Sequence, residues 1–151
     1  MGDIAWHAKE RATIENDLLV AAAEVIREHP GFAMLRSSNA VAAMRFGMHG
    51  GGHGHPDKLN LVTWGSGRTW GIDAASINYG VPLHKEWYRS TIAHSTVSVD
   101  GGLQAEKDGR SIEWKVADGE TTITAAADLA YPGVQLTRSV MVEGKVIEDS
   151  F

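Results

Sequence analysis

The chain contains no cysteine, so no disulfide can staple it and any bound metal must sit on His, Asp or Glu. Proline is scarce, at 4 residues, and aromatics make up only 7%. Long apolar runs are missing too: the longest, Leu18 to Ala23, falls far short of the roughly 20 residues that a spanning helix needs. The opening MGDIAWHAKE lacks the basic-then-apolar order of a secretory signal. Positive charge is in deficit, with 14 Lys and Arg against 19 Asp and Glu and a net charge of −5. That balance argues against generic binding to nucleic acid or an anionic membrane, while leaving room for a local basic patch. At 151 residues, 43% hydrophobic and 22% charged, the chain is sized for one ordinary domain, which buries roughly two-thirds of its unfolded surface.

Glycine is plentiful, at 17 residues, as suits a β protein rich in turns. Between Thr13 and His29 the apolar residues Leu18, Leu19, Ala22, Val25 and Ile26 recur at helical spacing. Thr13 or Asn16 can cap the start and Pro30-Gly31 ends the pattern, so one amphipathic helix is predicted there. Beyond Gly31 the chain turns to short β-branched and aromatic runs separated by Gly, Asp and Asn. Strands are predicted over 32–36, 41–47, 59–65, 91–99, 111–116, 121–127, 134–142 and 145–151, with hairpin turns at Asp118-Gly119 and Glu143-Gly144. The expected fold is mainly β, an antiparallel β-sandwich over 32–151 preceded by a short helical linker or remnant over 1–31. The last strand pattern, KVIEDSF, runs to the final residue without a turn, and a lone amphipathic helix needs a surface to cover it. Both ends therefore read as cut, the sandwich truncated at its C-terminus and the helix severed from a preceding helical domain.

The densest chemistry lies in GMHGGGHGHPDKLNL, residues 47–61. Three consecutive glycines, Gly50 to Gly52, cost conformational entropy and pack nothing, so their expected use is close approach to a ligand. His53 and His55 follow two apart. In an extended segment alternate residues share a face, which would bring both imidazoles to one cleft, with Asp57 adding a carboxylate unless Pro56 turns the chain. The alternative is a flexible polar loop. A zinc site without thiolates collects two or three His with a carboxylate. His94 is the best remote partner: in a strand over TIAHSTVSV it would share a face with Ile92, Thr96 and Ser98, although a solvated strand histidine fits equally well. Asp73, in RTWGIDAAS, ends an apolar strand and is either a carboxylate ligand or, more commonly for such an Asp, the start of a turn. Tyr79, His84, Trp87, Tyr88 and Arg89 crowd into NYGVPLHKEWYRST, where Gly80 and Pro82 interrupt any regular strand. Aromatic and cationic side chains on such a loop suit sugar stacking and carboxylate pairing. Trp87 is also read as an anchor of the loop to the core.

The blocks HGGGHGHPDKLNLVTWGSGRTWGID and YGVPLHKEWYRSTIAHSTVSVDG resemble the C-terminal β-sandwich module of the heparinase II/III-like polysaccharide lyases, which include oligo-alginate lyases. The likeness runs from about Phe32 to Phe151. It implies an enzyme in which a helical toroid precedes the sandwich and acidic, uronate-containing glycans are cleaved by β-elimination between the two. It further implies that His53 faces the substrate, that His55, Asp73 and His94 hold a zinc ion of structural role, and that Tyr79 or Tyr88 takes part in proton transfer. The family's other catalytic groups come from the toroid, which this chain is expected to lack. Ser95 stands where the family usually has Asn, so a contact behind the metal is expected to differ. The implied partner is an acidic polysaccharide or oligosaccharide, with no role for nucleic acid or a membrane. The implied location is the periplasm or outside the cell, with the cytoplasm as the alternative. Two other readings stay open. One is a sandwich that binds acidic glycans without cleaving them. The other is a cupin-like metal barrel, which also carries HxH but needs a Glu shortly after it, where Pro56-Asp57-Lys58-Leu59-Asn60 stands.

Overall fold

Along 32–36 and 40–45 every second side chain points inward: Ala33 and Leu35 on the first strand, Ala40, Ala42 and Met44 on the second, all closed off from water. A period of two is what a half-buried antiparallel strand requires. The computed structural model describes residues 31–117 and 119–151. The helix predicted between Thr13 and His29, and with it the linker, lies outside the described residues. Strands β1 (Phe32–Arg36), β2 (Ala40–Arg45), β3 (Asn60–Gly65) and β4 (Arg68–Gly71) form one antiparallel sheet in that order. The second sheet is β5 (Arg110–Ala117), β6 (Glu120–Ala126), β7 (Thr137–Glu143) and β8 (Val146–Ser150), again a simple meander. The sheets face each other through β1 and β2 on one side and β6 and β7 on the other. Leu35, Met44 and Leu61 meet Ile123, Val140 and Val142 in one core, with Phe46, Tyr131 and Leu136 in the same cluster. This is the mainly β, antiparallel sandwich expected. No helix among the described residues is long and apolar enough to cross a membrane.

Four local readings are corrected. The segment 91–99 is not a strand: Thr91–Ala93 is one 3-10 turn, and the His94 N–H returns to the Thr91 carbonyl. Its polar groups are taken by another loop instead of a neighbouring strand, since Thr91 Oγ1 donates to the Pro56 carbonyl (2.9 Å) and Thr96 Oγ1 to that of Lys58 (2.7 Å). The face predicted for Ile92, His94, Thr96 and Ser98 therefore does not form, and Ile92 is 69% exposed while His94 is buried at 6%. The apolar strand expected to end at Asp73 is β4, which stops earlier, at Gly71. It forms through the tight Ser66-Gly67 turn, whose residues have φ of 53° and 76°, the handedness that hairpin turns favour. Strand β7 starts at Thr137 and not at 134, since Tyr131 and Val134 first bridge across a small turn. The last hairpin loop is Gly144-Lys145, with Glu143 paired to Val146, one residue later than predicted.

Candidate functional site

Two long connections, 46–59 between β2 and β3 and 72–109 between β4 and β5, are joined to each other. The Lys58 N–H donates to Gln104 Oε1 (2.7 Å), and Gln104 Nε2 donates back to the Lys58 carbonyl (3.1 Å). Asn60 does the same work nearer the site: its side-chain carbonyl accepts the Ser95 N–H (2.8 Å) and its amide donates to Asp73 Oδ2. Arg138, buried on β7, donates to the carbonyls of Leu59 (2.6 Å) and Ser95 (2.7 Å) while its fork grips Asp149. The second sheet thereby holds both connections in place. None of these three residues stood out in the sequence, because a polar residue that will be buried looks like any other until its partners are known.

The His-containing segment is not extended as expected, since Gly51–His53 makes one 3-10 turn. Gly50 and Gly51 have φ of 90° and 61°, so they serve the turn. A Cβ on Gly51 or Gly52 would meet open space, so the structure gives no contact reason for glycine there. The glycine that space demands is Gly54: a Cβ there would lie 1.9 Å from the His49 carbonyl oxygen.

His53 and His55 nonetheless open onto one cleft of about 520 Å³, which Arg45, Asp57, Asp73 and Tyr79 also line. At its mouth His53 Nδ1 lies 2.7 Å from the Tyr79 hydroxyl, and both residues are exposed. The His55 ring lies 5.3 Å from that of His94 and 6.2 Å from that of His84, between centres. His94 Nδ1 is 3.1 Å from Asp73 Oδ2, and its Nε2 is buried with no hydrogen-bond partner. The bond to His94 holds the Asp73 carboxyl below its ordinary pKa, helped by the Ala75 N–H at 2.6 Å and by Asn60, and opposed by burial. Burial pushes the His55 imidazole below its ordinary value, and His94 adds to the shift.

Among the described residues no group of three or more His, Asp or Glu side chains is already drawn together as a ligand set. The donor chemistry fits zinc all the same: a half-buried imidazole at His55, a carboxylate at Asp73 and a second imidazole, that of His94, whose Nδ1 already lies 3.1 Å from that carboxylate, about the separation of two donors on one tetrahedral ion. Asp57 is not part of this group, because its carboxylate pairs with Arg45 Nε (3.2 Å) and Lys58 Nζ (3.5 Å). Trp87 does not anchor its loop, being 46% exposed; on the single π-turn His84–Tyr88 the buried residue is His84, at 2%. Arg89 pairs with Glu106 (3.1 Å) and Tyr88 is half-buried. Trp87, Tyr88 and Arg89 do not line the cleft.

A two-sheet antiparallel sandwich whose loops bring His53, His55, Asp73 and Tyr79 to one cleft, with His84 and His94 buried beside His55, defines a module with the donors for acid–base and metal chemistry. Residues 27–151 match the family described as heparinase II/III-like, C-terminal, and the chain belongs to that family. It is 28% identical to an alginate lyase of Stenotrophomonas maltophilia (strain K279a) over 72% of this chain and 18% of that protein. The crystal structure of the heparan sulfate lyase HepC from Pedobacter heparinus superposes with a TM-score of 0.65 at 26% identity, covering 74% of this chain and 18% of that one. A mutant of the same lyase gives 0.70 at 25% identity, covering 81% and 21%. The chain thus spans about a fifth of the length of these relatives.

Proposed function

We propose that this chain is the β-sandwich portion of a polysaccharide lyase that cleaves uronate-containing glycans by β-elimination. The observation that carries the reading is the 2.7 Å contact between His53 Nδ1 and the Tyr79 hydroxyl at the cleft mouth. The alginate and heparan sulfate lyases among its relatives support an acidic glycan as the substrate class. In such an elimination a proton leaves the carbon beside the carboxylate, negative charge grows on that carboxylate, and the C–O bond to the next sugar breaks with its oxygen needing a proton. Tyr79 is suited to the proton transfer, since its hydroxyl is accessible and oriented by His53. His53 also offers its other ring nitrogen to the growing charge, and Arg45 adds a positive group to the same cleft.

His55, Asp73 and His94 are the residues that would hold a zinc ion, which when bound supplies a cross-link between the two connections. Because His55 lies two residues from His53, that tie fixes the donor at the cleft. The test replaces the equivalent segment of the Stenotrophomonas alginate lyase by this chain and follows ultraviolet absorbance of the unsaturated uronate product. Tyr79→Phe and His53→Ala are expected to lose on the order of a hundredfold in kcat. Undiminished product from both variants overturns the assignment, and glycan binding by the parent chimera with no product favours a binding-only module.

A further inference from the structure

We propose that His84 is a further imidazole donor to the metal assigned to His55, Asp73 and His94, an inference that rests on that zinc reading. His84 is 2% exposed, yet neither of its ring nitrogens has a hydrogen-bond partner. Buried polar groups are nearly always satisfied, so an imidazole with neither nitrogen spent has a nitrogen free for a metal. It sits on the π-turn His84–Tyr88, a geometry that recurs at functional sites. Its ring stands 6.2 Å from that of His55, which stands 5.3 Å from that of His94, whose Nδ1 lies 3.1 Å from Asp73 Oδ2. Two imidazoles on one tetrahedral zinc, with Zn–N of about 2.0–2.1 Å, have ring centres about 5 Å apart. The His55–His94 spacing meets that, and the His55–His84 spacing exceeds it by about 1 Å, within reach of side-chain rotation.

With His84 the set becomes three imidazoles and a carboxylate, the closed sphere of a structural zinc. The addition has a consequence for the cleft. His84 packs edge-on against Tyr79, with ring centres 4.5 Å apart, so the metal would position Tyr79 through His84 as well as His53 through His55. The sequence marks His84 only as a loop residue near the substrate, and its burial shifts it to this role.

The test strips the 151-residue chain with a chelator, reloads it with one equivalent of Zn²⁺ and counts imidazole ligands by zinc X-ray absorption. Three are expected. Against a competing chelator His84→Ala is expected to weaken zinc retention about a hundredfold or more, at or beyond the upper end of the ten- to hundredfold loss typical of an outer-shell partner. Two imidazoles in the parent chain, or unchanged affinity in folded His84→Ala, overturn this inference and leave the His55, Asp73 and His94 reading standing. Failure of the parent chain to retain zinc overturns both. Where His84→Ala fails to fold, the imidazole count in the parent chain decides.

Discussion

His53 and His55 stand two residues apart and do different work. His53 is exposed and bonded to Tyr79, whereas His55 is half-buried beside His94. In the lyase chimera His53→Ala is therefore expected to keep zinc and melting temperature while losing about a hundredfold or more in rate. His55→Ala is expected to lose zinc first and activity as a consequence. Elemental analysis beside the rate measurement checks the division, and loss of zinc from His53→Ala would show the pair wrongly assigned. His49 carries a separate prediction. Burial pushes its pKa below 6.5, Lys58 and Arg89 push the same way, and Glu106 and Asp57 oppose them; Asp108 accepts its backbone N–H. The unfolded chain then takes up a proton at His49 before the folded chain does, so stability present above about pH 6.5 is lost as pH falls toward the depressed folded value. Urea denaturation as a function of pH should show that slope, and His49→Gln should flatten it.

At the scale of the element, the site depends on two connections held by a few buried polar side chains. Gly54→Ala puts a methyl group onto the His49 carbonyl, and the segment must open to admit it. A loss of at least about 1–3 kcal/mol is expected, together with weaker zinc retention, and calorimetry with metal analysis reads both. Arg138→Lys keeps the charge but not the fork that spans Asp149 and the carbonyls of Leu59 and Ser95. Roughly 3 kcal/mol of stability is expected to go with it, and a melting temperature within a degree or two of the parent would count against Arg138 as the tie between sheet and loops. Segment 91–99 shows the same dependence on partners. Its alternation is that of a strand, but Thr91, Ser95 and Thr96 bond to residues 56–60, and a periodic pattern becomes a strand only where a neighbouring strand can take its hydrogen bonds.

At the scale of the whole molecule, the cleft is open to water among the described residues. Tyr79 is 58% exposed and His53 is exposed with it, while elimination gains from a site closed to water. The 151-residue chain by itself is therefore expected to bind acidic oligosaccharides weakly and to release no unsaturated product, with calorimetric titration and ultraviolet absorbance as the two readouts. Turnover at ordinary enzyme rates by this chain alone would show that closure of the cleft is not needed. The sandwich also leaves β8 paired only with β7 among the described residues, with Val146 49% exposed and Phe151 44% exposed. Such an edge favours self-association, which sedimentation at rising concentration would reveal and Val146→Lys should suppress.

The sequence alone was enough for the fold class, for most of the strands and for the cluster at His53, His55, Asp73, Tyr79 and His94. Alternation of apolar residues and hairpin turns are local signals, and the resemblance carried by the two Gly- and His-rich blocks is a property of the string itself. Tertiary structure alone decided which polar residues are buried and which partners they find. Trp87 turned outward and His84 inward, Asp57 went to Arg45 and Lys58, and Asn60, Gln104 and Arg138 emerged as the residues that hold the cleft together. The physical reason is that burial and hydrogen-bond satisfaction are settled between segments distant in the chain, by which donors and acceptors packing brings together, and no local pattern encodes that choice.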